Sequence, residues 1–317
     1  MAIIVQKFGG TSVADEEKRE HVYRKIKQEL DRGNKSVVVV SAPGRRGAPY
    51  ATDTLLELIP GAGPETVSLI GSCGEIISAC IVTHGLNERG IPARAMNSYT
   101  AGIRAVGPYE AAQPETVETA NLEKLIKAGI VPVVPGFNGV LSDLSLATFG
   151  RGGSDTIAVA IGAWLHADYV DIFTDVPGVA MTDPRIFPQA PFIPCLDYKS
   201  MFKLSSQGSK VLQDLSAKVA MEKNVRVRVR STFDEKPGTT IAPHCEAEQR
   251  DLVGVVVKDK DTEVSAVILV YRDGQAKNIA EQIGISPNSS GDPDIVSFDI
   301  PNGRVKEILQ IILAPYL

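Results

Sequence analysis

Ile3-Ile4-Val5-Gln6-Lys7-Phe8-Gly9-Gly10-Thr11-Ser12 runs from an apolar, β-branched segment through a lysine into a pair of glycines. Ile3 to Val5 reads as a first strand, and a helix begins near Asp15, so the stretch is a strand, a glycine turn and a helix start. Adjacent glycines let backbone amides approach an anion closely, and a helix start adds partial positive charge. A lysine at the strand end would neutralise charge building on a transferring phosphoryl group. A plain tight turn also uses a glycine pair after a strand, so the stretch alone leaves both readings open. No GxxxxGK[ST] string occurs in the chain, which excludes a Walker-type loop. The apolar run breaks at Lys7 and Gly9 and lacks a charged leader or cleavage site, so it is read as a strand and not as a signal peptide.

Outward from this opening, β-branched apolar runs alternate with segments of helical spacing, the pattern of an α/β domain with a largely parallel sheet. The strands are expected at Ile3 to Val5, Val37 to Val40, Ile130 to Val134, Tyr169 to Phe173 and Val225 to Val229, most of them continuous enough in apolar character to be covered on both faces. The helices are expected at Glu16 to Leu30, Glu75 to Gly85, Leu122 to Ala128, Asp155 to Leu165 and Gly208 to Lys223. After Ile241 the polar stretch PHCEAEQRD marks a boundary. Beyond it, strands at Leu252 to Val257, Val264 to Val270 and Ile295 to Ile300 and helices at Gln275 to Ile283 and Val305 to Ile312 suggest a small α+β module of the ferredoxin-like kind.

A chain of 317 residues, 44% of them hydrophobic, buries a substantial core and suits one large domain with a smaller one. A formal charge of -5 and a pI near 5.5 leave no basic surplus for a nucleic-acid backbone or an anionic membrane. No run approaches the roughly 20 apolar residues that span a bilayer, so a cytoplasmic location is expected. Cys73, Cys80, Cys195 and Cys245 show no metal-ligand or redox spacing and are expected as reduced, mostly buried thiols. His21, His84, His166 and His244 fall in no motif and read as surface or structural residues.

A second glycine-rich string, Gly150-Arg151-Gly152-Gly153-Ser154-Asp155-Thr156, precedes another apolar helix. Its glycines expose amides, Ser154 or Asp155 can cap the helix, and Arg151 offers a planar fork suited to carboxylate or phosphate. A capped helix with a solvated arginine would have the same string. Together, KFGGTSV and GRGGSDT resemble the signature segments of the aspartokinase family, a branch of the amino-acid kinase superfamily. VVVVSAPG, CGEIIS, FTDVPGV with TDPR, GSKVL, and VRSTF followed by PGTTI recur in the family's order, over roughly residues 1 to 241.

The resemblance implies a three-layer αβα amino-acid-kinase fold over residues 1–241 and a single ACT-like module over 250–317. It implies ATP and Mg2+ as cofactors and transfer of phosphate to the side-chain carboxylate of aspartate. By similarity Lys7 lies between donor and acceptor, with Gly9, Gly10 and Ser12 shaping the phosphate turn. Lys7 and Asp155 would be catalytic. Arg151 would grip the substrate α-carboxylate and Glu75 the ammonium, with Ser154 and Thr52 completing the acceptor site. Nucleotide recognition would come from Thr174, Asp175, Asp183, Arg185 and Lys210. No residue is implied as a dedicated metal ligand, and the expected partners are the amino-acid substrate and a second copy of the chain, a homodimer.

Three segments depart from the family pattern: the basic loop APGRRGAPYATD after Ser41, the stretch Asn97 to Ala112, and Gln213-Asp214 where a His-Pro pair commonly follows. They motivate an alternative in which a specialised kinase acts on a different acceptor. A catalytically silent amino-acid sensor is the alternative from another class, against which Lys7, Arg151, Asp155 and Lys210 stand together. The family usually carries two ACT modules, whereas Ala242 to Leu317 suffices for one.

Overall fold

The computed structural model describes residues 1–209, 211–245, 250–272, 284–288 and 290–317. Its frame is an eight-stranded sheet. In spatial order the strands are β10 (Cys195–Asp197), β12 (Thr239–Ala242), β11 (Val227–Ser231), β9 (Tyr169–Thr174), β1 (Ile3–Phe8), β2 (Lys35–Val40), β6 (Val131–Pro135) and β3 (Ala93–Ala95). From β11 to β3 every pairing is parallel, and β12 turns antiparallel on β11 and carries β10 with it. The expected largely parallel sheet is thus present, and β1, the strand that opens the chain, lies in its middle.

Side-chain alternation divides the core into the two covered faces. Phe8, Val38, Val40, Val133 and Phe173 pack beneath α1 (Glu16–Asp31) and α3 (Pro64–Glu88). Val5, Val37, Val39, Val134 and Ile172 pack beneath α4 (Ala120–Lys127) and α5 (Gly153–Trp164). The Asp15 carboxylate caps α1 by accepting from the Lys18 amide at 2.9 Å.

Several expectations are corrected. The helix expected at Glu75 to Gly85 runs the full 25 residues of α3, because its glycines are contact points and not breaks: a Cβ at Gly85 would sit 2.1 Å from the Tyr23 hydroxyl. This is also the one helix among the described residues long and apolar enough to cross a membrane, a property the sequence reading passed over, and half of that apolar window is buried inside the protein. The helix expected at Gly208 to Lys223 begins only at Asp214. Gly208, at φ +103, lies just past a separate helix, α6 (Tyr198–Ser206), and the two helices are α6 and α7 (Asp214–Lys223). A four-stranded sheet was not foreseen at all: β5 (Gln113–Val117), β4 (Ile103–Val106), β7 (Asn138–Val140) and β8 (Leu146–Thr148), too short to show a period. The short helix α2 (Thr52–Leu56) was also missed.

The cysteine expectation fails on both counts. Cys195 and Cys245 form a disulfide, and Cys73 and Cys80 are exposed. Fifty residues separate the bonded pair, so no spacing rule could have found it.

The C-terminal part is an antiparallel sheet, β13 (Leu252–Asp259), β14 (Val264–Tyr271) and β15 (Ile295–Pro301), with α8 (Val305–Leu313). This fits the small α+β module read from the sequence, whose first expected helix, Gln275 to Ile283, lies outside the described residues. The apolar cluster on the α5 side continues through Met201 and Leu204 of α6 into Val255, Val267 and Ile308. Lys203 of α6 adds ion pairs to Asp292 and Asp294 across the same seam, and a cavity of about 480 Å³ opens there beside Tyr198, Tyr271 and Cys245.

Candidate active site

The parallel strands β1, β2 and β9 end at one edge of the sheet, where ligands of open α/β sheets bind. Lys7 shares the α5-facing side of β1 with Val5, and its Nζ lies 2.6 Å from Asp155 Oδ1 of α5, with both side chains about nine-tenths buried. The contact is an ion pair without hydrogen-bond alignment, and Asp155 Oδ1 has no hydrogen-bond partner. The turn beyond Lys7 is held by its backbone: the Gly9 amide donates to the Phe173 carbonyl at 3.2 Å and the Ser12 amide to the Gly9 carbonyl at 2.9 Å. Gly10 must be glycine, since a Cβ would meet the Ala42 and Gly44 carbonyl oxygens at 2.6 and 2.7 Å. Ser12 is fully buried, and its hydroxyl is 2.7 Å from Thr232 Oγ1, so it ties the turn to the end of β11.

The loop after β2, Ser41 to Ala51, forms a roof. The Gly44 amide donates to the Gly10 carbonyl at 2.9 Å, and Gly74 of α3 leaves room for the roof because a Cβ there would be 2.4 Å from the Tyr50 carbonyl oxygen. Beside Gly74, Glu75 is 2% exposed, and its Oε2 has no hydrogen-bond partner. Burial pushes its carboxyl up to about 8, although the Ala42 amide, its own amide and the charge of Lys7 pull the other way. Desolvation outweighs them because an ionised carboxylate loses more hydration than those contacts restore.

Gly150 and Gly152, at φ +66 and +76, turn the chain sharply into α5. Between them Arg151 is exposed with no hydrogen-bond or ion-pair partner among the described residues, whereas Ser154 packs closely on Gly136 at the end of β6. The next residue, Phe137, adopts φ +77 and lies against Gly71 of α3 and Gly153 of α5. Thr52 opens α2 and approaches the same part of Gly71. Sequence reasoning missed Phe137, although the string Gly136-Phe137-Asn138-Gly139 just past a strand end was a usable signal.

At the end of β9, Thr174 and Asp175 reach the roof through an ion pair between Asp175 and Arg45 at 2.7 Å. Asp183 and Arg185 form an exposed pair with each other. Lys210 lies outside the described residues. The structure therefore gathers Lys7, Gly9, Gly10 and Asp155 at one point, brings Glu75 within electrostatic reach of Lys7, and places Thr174 and Asp175 beside the roof. Arg185 lies within electrostatic reach of Asp175, which brings the pair of Asp183 and Arg185 to the β9 side of this group.

The arrangement pairs a lysine with backbone amides in a turn, an unpaired guanidinium and a buried carboxylate, which is a set able to hold a phosphate beside a zwitterion. The sequence profile of the amino acid kinase family matches residues 2–231. Aspartokinase 1 of Bacillus subtilis (strain 168) is 41% identical over 248 residues, covering 77% of this chain and 61% of that protein. The aspartokinase of Geobacillus stearothermophilus is 34% identical over 328 residues, 99% of this chain and 79% of its own length. In fold the chain resembles E. coli aspartokinase III in complex with aspartate and ADP, with a TM-score of 0.82, 19% identity and 99% coverage of each chain.

Proposed function

Because the chain belongs to the amino acid kinase family and, within it, to the aspartokinases, we propose that it transfers the γ-phosphoryl group of ATP to the side-chain carboxylate of aspartate. The ion pair of Lys7 with Asp155 carries this reading, since it ties the glycine turn of β1 to the glycine-rich start of α5. Phosphoryl transfer asks the protein mainly for position and charge. Gly9 and Gly10 shape a turn that brings backbone close to the phosphates, and the Lys7 ammonium is assigned to the point where charge spreads over the transferring group. Arg151 receives the acceptor's α-carboxylate, the ionised Glu75 its ammonium, and Thr52, Phe137 and Ser154 line the space between.

Among the described residues no cluster of three acidic, histidine or cysteine side chains could cage a metal. Mg2+ in a kinase is held mostly by phosphate oxygens and water with one or two carboxylates. Asp155, which pairs with Lys7 through Oδ1, is the carboxylate this reading assigns to it. When bound, the ion would neutralise phosphate charge. Thr174, Asp175, Asp183 and Arg185 form the nucleoside side, and the resemblance assigns Lys210 to the ATP phosphates.

Residues 1–241 make the catalytic unit and 250–317 the ACT-like module in this reading. The edges of its sheet, β13 and β15, favour a homodimer, and a cytoplasmic location suits an ATP-driven reaction on a free amino acid. The test is ATP consumption across the amino acids with hydroxylamine present to trap an acyl phosphate. Turnover with another acceptor but not aspartate establishes the specialised kinase, and none with any acceptor the silent sensor.

A further inference from the structure

We propose that Arg45 is a second phosphate-binding cation, which exchanges its partner Asp175 for the triphosphate when nucleotide enters; this rests on the kinase reading above. The geometry starts at the backbone. Gly44 bonds the carbonyl of Gly10, so Arg45 leaves the roof one residue from the phosphate turn. Its guanidinium then reaches Asp175, just past β9, with Nη2 2.7 Å from Oδ2. The Gly9 amide is bonded to Phe173, near the end of the same strand, so the side chain of Arg45 passes over the mouth of the turn.

The pair has little structural work to do. Its side chains are 74% and 41% exposed, and ion pairs that wet contribute little to folding. The roof is fastened elsewhere: the Gly47 amide donates to Thr54 Oγ1 at 2.9 Å and a turn closes from the Ala48 amide to the Arg45 carbonyl, while Arg46 makes an equally exposed pair with Glu57. Of the two adjacent arginines, Arg46 faces the roof's own base and Arg45 faces the mouth. A planar guanidinium suits phosphate oxygens, and a triphosphate offers several charges where Asp175 offers one. The exchange leaves the Asp175 carboxylate free to accept from hydroxyls of the nucleotide.

Calorimetric titration of the whole chain with Mg-ATP, and separately with inorganic tripolyphosphate, tests the proposal. Arg45→Ala is expected to weaken both by about tenfold, the loss of one charge-assisted contact. Arg45→Lys should recover part of the loss and Arg46→Ala should bind as the unaltered protein does. In turnover, Arg45→Ala should raise KM for ATP with a smaller change in kcat. Equal binding by Arg45→Ala and the unaltered protein, or equal weakening by Arg46→Ala, overturns the proposal and leaves the kinase reading standing. An unaltered protein that binds neither ligand overturns the kinase reading itself.

Discussion

Glu75 has the most exacting environment of any residue in the site. Its carboxyl is raised from 4.5 to about 8, so between those pH values the folded protein keeps a proton that the unfolded chain has released. Stability should therefore fall as pH rises through that window, by at most about 1.4 kcal/mol per pH unit, and level off above it. Glu75→Gln should flatten the slope in thermal melts taken across pH. In turnover, the apparent affinity for aspartate should improve as pH approaches 8 and the carboxylate ionises, a trend that Glu75→Gln abolishes. Lys7 lends itself to a double test. Lys7→Ala should lower kcat by about 10² to 10³ through lost charge stabilisation. It should also destabilise the fold by about 3 to 5 kcal/mol because Asp155 stays buried alone. Lys7→Met with Asp155→Asn should restore much of the melting temperature and none of the activity. The two glycine strings that bring Lys7, Gly9, Gly10 and Asp155 together were legible in the sequence because glycine turns next to helix starts are local signals. Phe137 was not, since its part depends on contacts with α3 and α5, far away in the chain.

At the scale of elements, regular spacing was readable and close approach was not. α1, β1, β2, β6, β9 and β11 were found from periodicity, their ends within a few residues. α3 was cut short because Gly71 and Gly74 look like breakers in a window of sequence, while in the structure they admit Phe137 and the roof. A glycine inside a helix ordinarily gains about 0.5 to 1 kcal/mol on replacement by alanine. Gly74→Ala should do the reverse: its Cβ would lie 2.7 Å from that of Ala42 as well as against Tyr50. A loss of about 1 to 3 kcal/mol is expected from overpacking, measured by denaturant titration. The displaced roof should cost activity beyond that loss. The sheet of β4, β5, β7 and β8 was illegible for another reason: its strands run three to five residues, in two short hairpins that meet only through Arg104 and Val140.

Across the whole molecule, the disulfide and the shared core work in the same place. Cys195–Cys245 fastens the chain leaving β12 to β10, next to the seam where α6 meets β13 and β14. Cross-linking residues that far apart stabilises by up to about 4 kcal/mol in the chain-entropy account. Cys195→Ser should therefore lower the melting temperature and match the unaltered protein treated with reductant. Sheet order carries a further consequence, one that concerns birth and not equilibrium. Of the strands in this sheet β1 is made before the others, yet one of its two neighbours, β9, is made only after β2, β3 and β6. A nascent half sheet can close on the β2 side while the opposite edge of the oldest strand stays bare until Tyr169–Thr174 appears. That interval is when the growing chain is most open to pairing with another, and most in need of a chaperone's cover.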